Sequence, residues 1–545
     1  MVRSKHIPLI AYHILRTTYH ILYIMKRETI IHLLTSRVEP FDFIVIGGGA
    51  TGLGVALDAT TRGYSVALFE QSDFTKATSS RSTKLVHGGV RYLAQGNVSL
   101  VFEALRERGI LRKNAPHLVK DQRFLIPCYR WWEGPFYFCG LVLYDFMAGI
   151  LRFGRSMCIG PKRSVKTIPN LRQKGLTAGI LYHDGQFDDS RLGINLVRTA
   201  VDAGACVLNY MRVTGLLKED GKISGVSVRD EETNTEYTIK SKAVINATGV
   251  FADDILQMDT PGKRPSVRPS QGVHLVLDMS FLQSDYAIMI PKTSDGRVLF
   301  AVPWHDKVVV GTTDTLMKEA VEEPVALEEE INFILTTAGH YLTRAPKRSD
   351  VLSVFAGLRP LAAPRSEGKK TKEISRSHKI IREDSGLISI IGGKWTTYRR
   401  MAQETVDFAI RNMRISTHDC VTETYPIHGA KPNPNFSDPL YVYGTDADEI
   451  RELINSSPEM SERLHTHYPF TVGEVSWIIR NEMVCTLEDV LARRLRILFM
   501  DARAALEIAP QVAEILMAEQ GKDPAWKDAQ LTAFKQLVSN YILND

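Results

Sequence analysis

The segment Phe41 to Gly52, FDFIVIGGGATG, restricts what this chain can fold into more than any other. Phe41 to Ile46 is a short apolar run, the pattern of a strand buried in a parallel sheet. It runs directly into Gly47-Gly48-Gly49. A helix is predicted from about Thr51 to Thr61, closed by Arg62-Gly63, and Ser65 to Phe69 (SVALF) repeats the buried-strand pattern up to Glu70. Strand, turn, helix and strand make a βαβ unit. Gly47, Gly49 and Gly52 spell G-x-G-x-x-G. The first glycine permits the tight turn, the second lets backbone approach a pyrophosphate, and the third allows close packing of the helix. Free N–H groups at the helix start attract phosphate. Glu70 closes the second strand eighteen residues after Gly52, where a carboxylate accepts hydrogen bonds from a ribose diol.

The remaining chain offers room for this unit and several more. Its 545 residues suggest two to four domains, and 44% apolar with 24% charged residues excludes disordered and disulfide-scaffold classes. Six scattered cysteines contain no CxxC pair and no zinc spacing, so no metal site is expected. A formal charge of +5 is too small to argue for a nucleic-acid partner. Residues 1–40 hold six Lys/Arg and two Glu, so 6 − 2 = +4 of that surplus lies there and the rest of the chain carries +1. These forty residues read as a basic amphipathic arm, or else translation starts at Met25, with residues 1–24 ahead of it and an ordinary lead before the first strand.

A helix is expected from Asp189 to Ala203, then a short strand, then an alternating meander leading into Ala243–Ala247 and Thr248-Gly249. From Val273 to Thr312 the pattern is antiparallel, a sheet able to roof a substrate site. Tyr425 to Pro439 is the linker candidate, and the chain beyond it is helical, with Thr486 to Asp489 as a capping-box start and Pro510 suited to a helix's first turn. The loop Thr78 to Gly89 follows Glu70 closely, and with Asn246 to Gly249 and Gly392 to Lys394 it gives three glycine-bearing turns. That set suits an extended FAD better than NAD. Its expected contacts are Ser79, Ser80, Thr83, Lys84, His87, Gly88, Gly249, Gly393 and Thr396, beside Gly47, Gly49, Gly52 and Glu70.

Five stretches in order, IGGGATGLGVALDATTRG (Ile46–Gly63), ATSSRSTKLVHGGVRYL (Ala77–Leu93), AGLRPL (Ala356–Leu361), GGKWTTYRRMA (Gly392–Ala402) and DVLARRLR (Asp489–Arg496), resemble the FAD-dependent glycerol-3-phosphate dehydrogenase family. The resemblance runs from about Phe41 to the C-terminus. Leu53 departs from it, standing where that family usually has a small residue. No EF-hand loop is found near the C-terminus, which makes the bacterial respiratory type the nearer comparison. The fold class expected is α/β: a Rossmann-like FAD-binding domain of glutathione-reductase type, an inserted α+β substrate (cap) domain, and a C-terminal all-α domain. The corresponding boundaries are an extension over 1–40, FAD-binding segments 41–115, 186–262 and 350–415, substrate segments 116–185 and 263–349, a linker over 416–440, and a helical domain over 441–545.

The resemblance implies oxidation of sn-glycerol 3-phosphate to dihydroxyacetone phosphate, with electrons passing through FAD to a quinone. A phosphate dianion suits the planar fork of arginine, and the candidates are Arg91 with Tyr92, Arg359 and Arg376. A base working near neutral pH points to histidine. His274 matches that family's proposed active-site histidine, with His87 as its rival. Lys394 is expected near the flavin, stabilising negative charge. An oxidase using O2, a carboxylate-binding amine or amino-acid oxidase, and a non-catalytic flavin-binding protein are the alternatives. A quinone acceptor requires contact with a membrane. Tyr129 to Trp132 followed by Pro135 to Leu151 reads either as an interfacial element or as a core helix, since Asp145 and the short length argue against a spanning helix. Localisation is expected to be cytoplasmic, peripheral on the inner face of the cytoplasmic membrane, and a homodimer is suggested by the resemblance alone.

Overall fold

The computed structural model describes residues 25–93, 96–291, 293, 296–363, 378–413 and 415–544, without the side chains of Arg91 and Tyr92. Residues 1–24 and Arg376 thus lie outside the described residues. The strand Phe41–Ile46 pairs in parallel with Val66–Phe69 on one side and with Glu236–Asn246 on the other. Cys206–Leu208 and Ile388–Ile391 extend this parallel sheet, Lys379–Arg382 closes one edge antiparallel, and the meander Met211–Glu219 and Lys222–Asp230 branches from Glu236–Asn246. The helix Ala50–Thr61 packs on it, and ten of its twelve residues are buried. Leu53 is fully buried there, close to Gly193 on the neighbouring helix Asp189–Asp202, where a Cβ would strike Thr75 at 2.2 Å but meet Leu53 only at an ordinary 3.8 Å.

A second, mixed sheet stands against the first. Its described strands run in the order Thr315–Leu316, Val267–Asp278, Lys307–Gly311, Leu299–Trp304, Ala287–Ile290, Lys120–Cys128, Ala178–Gln186 and Leu85–Val86. The strand Val351–Ala362 also belongs here, pairing antiparallel along Val267–Asp278 so that His274 opposes Phe355 and Ser270 opposes Arg359. This departs from the expected boundary, which placed 350–362 in the FAD-binding segments. An apolar run shows that a strand is buried; it does not show which sheet buries it.

Two other expectations change. Residues 25–36 are integrated into the fold: in the helix Arg27–Ser36, Ile30 and Leu34 are buried, and Arg27 donates to Asp230 at 2.5 Å and to the Asn209 carbonyl. Pro510 sits inside the helix Ala502–Gln520, not at its first turn. Burial of Ile508, Ala509, Val512 and Ala513 on one face carries the helix across the missing N–H.

The C-terminal helices meet the first sheet through buried charges. Asp73 accepts from Arg493 Nε at 2.5 Å and Arg494 Nη1 at 2.7 Å, and Asp189 accepts from Lys84 and Arg496 at 2.8 Å each. Thr486 and Asp489 exchange hydrogen bonds in the expected capping arrangement at the start of this turn. Burial alone would raise the Asp73 carboxyl, yet Arg494 and Arg493 outweigh it and hold that group well below the usual carboxylate range. Asp73→Asn should therefore cost roughly 3 kcal/mol by leaving two buried guanidinium groups without this partner. Thermal unfolding checks this: a clear fall in Tm is expected, and an unchanged Tm would refute a structural role for the pair.

Candidate active site

Two cavities meet at the junction of the sheets. The first, about 370 Å³, follows the C-terminal ends of the parallel strands and is lined by Gly47, Gly49, Glu70, Ser79, Gly249 and Gly393, among others. The second, about 220 Å³, is lined by Thr83, His87, His274, Arg359, Gly393 and Thr396, among others. Thr78, Lys394 and Trp395 line both, so one elongated space runs from the glycine turn to the mixed sheet.

At the turn the chain approaches itself more closely than a side chain would allow. Gly47 has φ +109°, and a Cβ on Gly52 would lie 1.9 Å from the Gly47 carbonyl oxygen. Gly49 caps the helix without a side chain, and the first helical amide, that of Ala50, donates to Ser79 Oγ at 2.9 Å. Glu70 accepts from the amides of Gly48 (2.6 Å) and Ser72 (3.0 Å). Burial pushes the Glu70 carboxyl up to about 7, against these two amides, and the charges of Glu322 and Asp73 add to the rise. A helix N-terminus, glycines where a backbone must be approached and a carboxylate at the strand end fit a dinucleotide in this cavity.

The second cavity gathers cations around a neutral histidine. His274 is buried, stacks on Phe355 at 4.9 Å and meets the Thr83 hydroxyl through Nε2 at 2.9 Å. Burial, then the charges of Lys84 and Arg359, hold its pKa well below 6.5. A base titrating near neutral pH was expected; the structure gives an imidazole already neutral there. Arg359 donates to Thr312 Oγ1 at 3.0 Å and approaches Asp314 at 3.6 Å. Gly272 faces it, and a Cβ there would lie 2.3 Å from the guanidinium.

Not every residue singled out from the sequence reaches this space. Ser80, Lys84, Gly52 and Gly88 line neither cavity. Lys84 points inward, donating to Asp189 and to the Ser80 carbonyl (2.7 Å), and burial brings its pKa down to about 7. Gly88 donates to Asp184 at 3.3 Å, and a Cβ on it would strike Tyr144 and Leu105. The backbone of Arg91 and Tyr92 lies in the short helix Val90–Leu93. Sequence reasoning gave no role to Arg81, whose Nη1 donates to the Ala356 carbonyl at 3.1 Å beside the second cavity, nor to Trp395, whose Nε1 donates to the Ser79 carbonyl at 2.8 Å. Both lie within quoted motifs, and only their position marks them, Arg81 beside the second cavity and Trp395 lining both. Among the described residues no group of His, Cys, Asp or Glu is placed to hold a metal ion.

The chain matches known proteins along most of its length. Residues 42–399 match the family described as FAD dependent oxidoreductase, and residues 420–529 match the C-terminal domain of alpha-glycerophosphate oxidase. The chain is 38% identical over 547 residues to the mitochondrial glycerol-3-phosphate dehydrogenase of Arabidopsis thaliana, covering 92% of this chain and 86% of that one. It is also 38% identical to the mitochondrial glycerol-3-phosphate dehydrogenase of Schizosaccharomyces pombe, covering 95% and 89%. The structure of glycerol-3-phosphate dehydrogenase from Bacillus halodurans complexed with FAD superposes with a TM-score of 0.78 at 29% identity, covering 95% of this chain and 98% of that chain.

The raised pKa of Glu70 has a measurable sign. Between 4.5 and about 7 the folded cofactor-free protein binds a proton that the unfolded chain does not, so this group's contribution to stability is greatest below pH 4.5 and is lost as pH rises to about 7. The Tm of the cofactor-free protein relative to Glu70→Gln should decline across that window and level off above it. A constant difference would contradict a carboxyl held protonated by burial.

Proposed function

The chain belongs to the FAD-dependent glycerol-3-phosphate dehydrogenase family, and from that premise we propose that its second cavity binds the substrate and that its electrons leave to a quinone at a membrane surface. FAD is the cofactor, and it supplies the acceptor for a hydride from C2 of sn-glycerol 3-phosphate. The alcohol loses that hydride and its hydroxyl proton, and dihydroxyacetone phosphate results. The observation that carries the assignment is the convergence of His274, Arg359 and Lys394 on a cavity continuous with the dinucleotide site.

Arg359 holds the phosphate, its fork matching two phosphate oxygens. With its ring proton on Nδ1, His274 presents Nε2 as the acceptor, where the Thr83 hydroxyl now sits, and receives the substrate's hydroxyl proton there. Protonation of so buried a ring is unfavourable on its own. A phosphate dianion beside Arg359 offsets one of the two positive charges that suppress it. Lys394, lining both cavities, places positive charge where the two ligands adjoin. Arg91, Tyr92 and Arg376 remain candidates for the phosphate on their place in the sequence motifs.

The membrane reading rests on the helix Glu133–Ala148. Together with residues to Leu151 it is long and apolar enough to cross a membrane by length and composition, which the sequence had argued against. It nevertheless lies along the protein: Leu141, Tyr144 and Met147 are buried, and Tyr144 donates to Asp184 at 2.9 Å, the carboxylate that also accepts from the Gly88 amide. The opposite face carries Trp132, Phe136, Leu143, Phe146 and Ile150, all exposed at three- and four-residue steps with Cys139, and Trp131 beside them is 82% exposed. Asp145 does not interrupt this stripe, because it accepts from the Ser156 amide at 2.6 Å. An apolar face backed by protein suits a helix lying in the lipid interface, and the exposed tryptophans suit the headgroup level.

Two experiments test these readings. His274→Ala and Arg359→Ala should each lower kcat/KM for glycerol 3-phosphate by at least about a hundredfold while FAD stays bound; wild-type turnover by His274→Ala would remove it as the base. In flotation with anionic vesicles the wild type should rise with lipid, and a Phe146→Ser/Ile150→Ser double variant should stay behind. Equal partitioning of the two would count against docking through this stripe.

A further inference from the structure

The ribose end of the first cavity is bordered by a stretch of chain that belongs to neither the glycine turn nor the parallel sheet. Glu322 lies in the connection between Thr315–Leu316 and the helix Glu328–Tyr341, yet it lines the same cavity as Gly47, Glu70 and Ser79. Its carboxylate accepts from the Ser72 hydroxyl, and its charge contributes to the raised pKa of Glu70. Glu70 and Glu322 face one end of this cavity, and the charge on one disfavours charge on the other. A diol placed there donates a hydrogen bond to each and separates them.

The next residue fastens this stretch at two points. Glu323 accepts from Arg81 Nη2 at 2.6 Å and from the Tyr541 hydroxyl at 2.7 Å. Arg81 comes from the loop at the other cavity, and Tyr541 comes from the last few residues of the chain, where its carbonyl accepts from the Val354 amide at 2.9 Å. Both side chains are buried, and burial pushes the Tyr541 hydroxyl well up, so it stays a donor at every working pH. Hydrogen bonds to a charged, partly buried carboxylate are the strong kind.

We propose that residues 319–325 form a strap over the cofactor, with Glu322 as a further binding residue for the adenosine ribose beside Glu70, and with Arg81, Glu323 and Tyr541 as the lock that keeps the strap down. FAD leaves only when Glu323 lets go of both partners, so the C-terminal tail sets how long the cofactor stays. This rests on the placement of FAD in the first cavity.

The test is release of FAD from purified holoenzyme, read as the recovery of free-flavin fluorescence after dilution. Tyr541→Phe, which removes a single hydroxyl, and Glu323→Gln should each speed release roughly tenfold, the loss of one hydrogen bond to a charged group. Glu322→Ala should speed release with the lock intact. In all three the rise in Tm that FAD adds should shrink, over and above whatever Tm the cofactor-free protein itself loses. Release at the wild-type rate in all three variants, or a fall in Tm shared equally by cofactor-free and FAD-bound protein, would overturn the strap. A wild-type chain that retained no FAD would instead contradict the cofactor placement.

Discussion

Everything at this site depends on the near-contact of two glycines. The carbonyl of Gly47 occupies the space that a Cβ on Gly52 would need, 1.9 Å away, and Gly47 itself adopts a φ of +109° that side chains resist. Only with both residues bare does the helix Ala50–Thr61 start against the end of the strand Phe41–Ile46. That places free amides, the Glu70 carboxylate and the strand-end glycines around one elongated cavity. The rest of the fold adds a second sheet at the far end of that cavity, from which His274 and Arg359 approach.

Charge is distributed to match. Beyond residue 40 the chain carries a net charge of +1, so no general field draws an anion in. The positive potential is local: Arg359 and Lys394 line the second cavity, Arg81 there is paired with Glu323, and His274 is kept neutral by burial and by its cationic neighbours. The larger concentration of buried arginines, Arg493, Arg494 and Arg496, is neutralised by Asp73, Asp188 and Asp189 and serves to join the C-terminal helices to the first sheet. One motif family thus supplies two kinds of arginine. Those with carboxylates on every side are structural, and Arg359, beside the second cavity, is the one proposed for the phosphate.

What could be read from sequence follows the reach of local pattern. Phe41–Ile46, Val66–Phe69 and the helix between them were legible because period and glycine spacing are local properties. Val351–Ala362 was legible as a strand and misplaced between sheets, because its partner Val267–Asp278 lies about eighty residues away. Lys84 and Ser80 sat in the right motif, but a motif does not say which side chains face inward. Asp145 looked like an interruption in an apolar helix until the Ser156 amide supplied its partner. Glu322 and Glu323 left no signal at all, since a short acidic stretch ordinarily reads as a solvated loop and only the fold brings it beside Glu70 and Tyr541.

The central claim is that one continuous cavity brings C2 of glycerol 3-phosphate to the flavin under the charge of Arg359 and Lys394 and beside the base His274. Anaerobic rapid mixing of the FAD-bound protein with glycerol 3-phosphate carrying deuterium or protium at C2, watched through the flavin's visible absorbance, tests it most directly. The account predicts complete bleaching without any added acceptor, slower by several-fold when C2 carries deuterium. A flavin that stays oxidised, or one that bleaches only with a carboxylate-bearing amine, would contradict it.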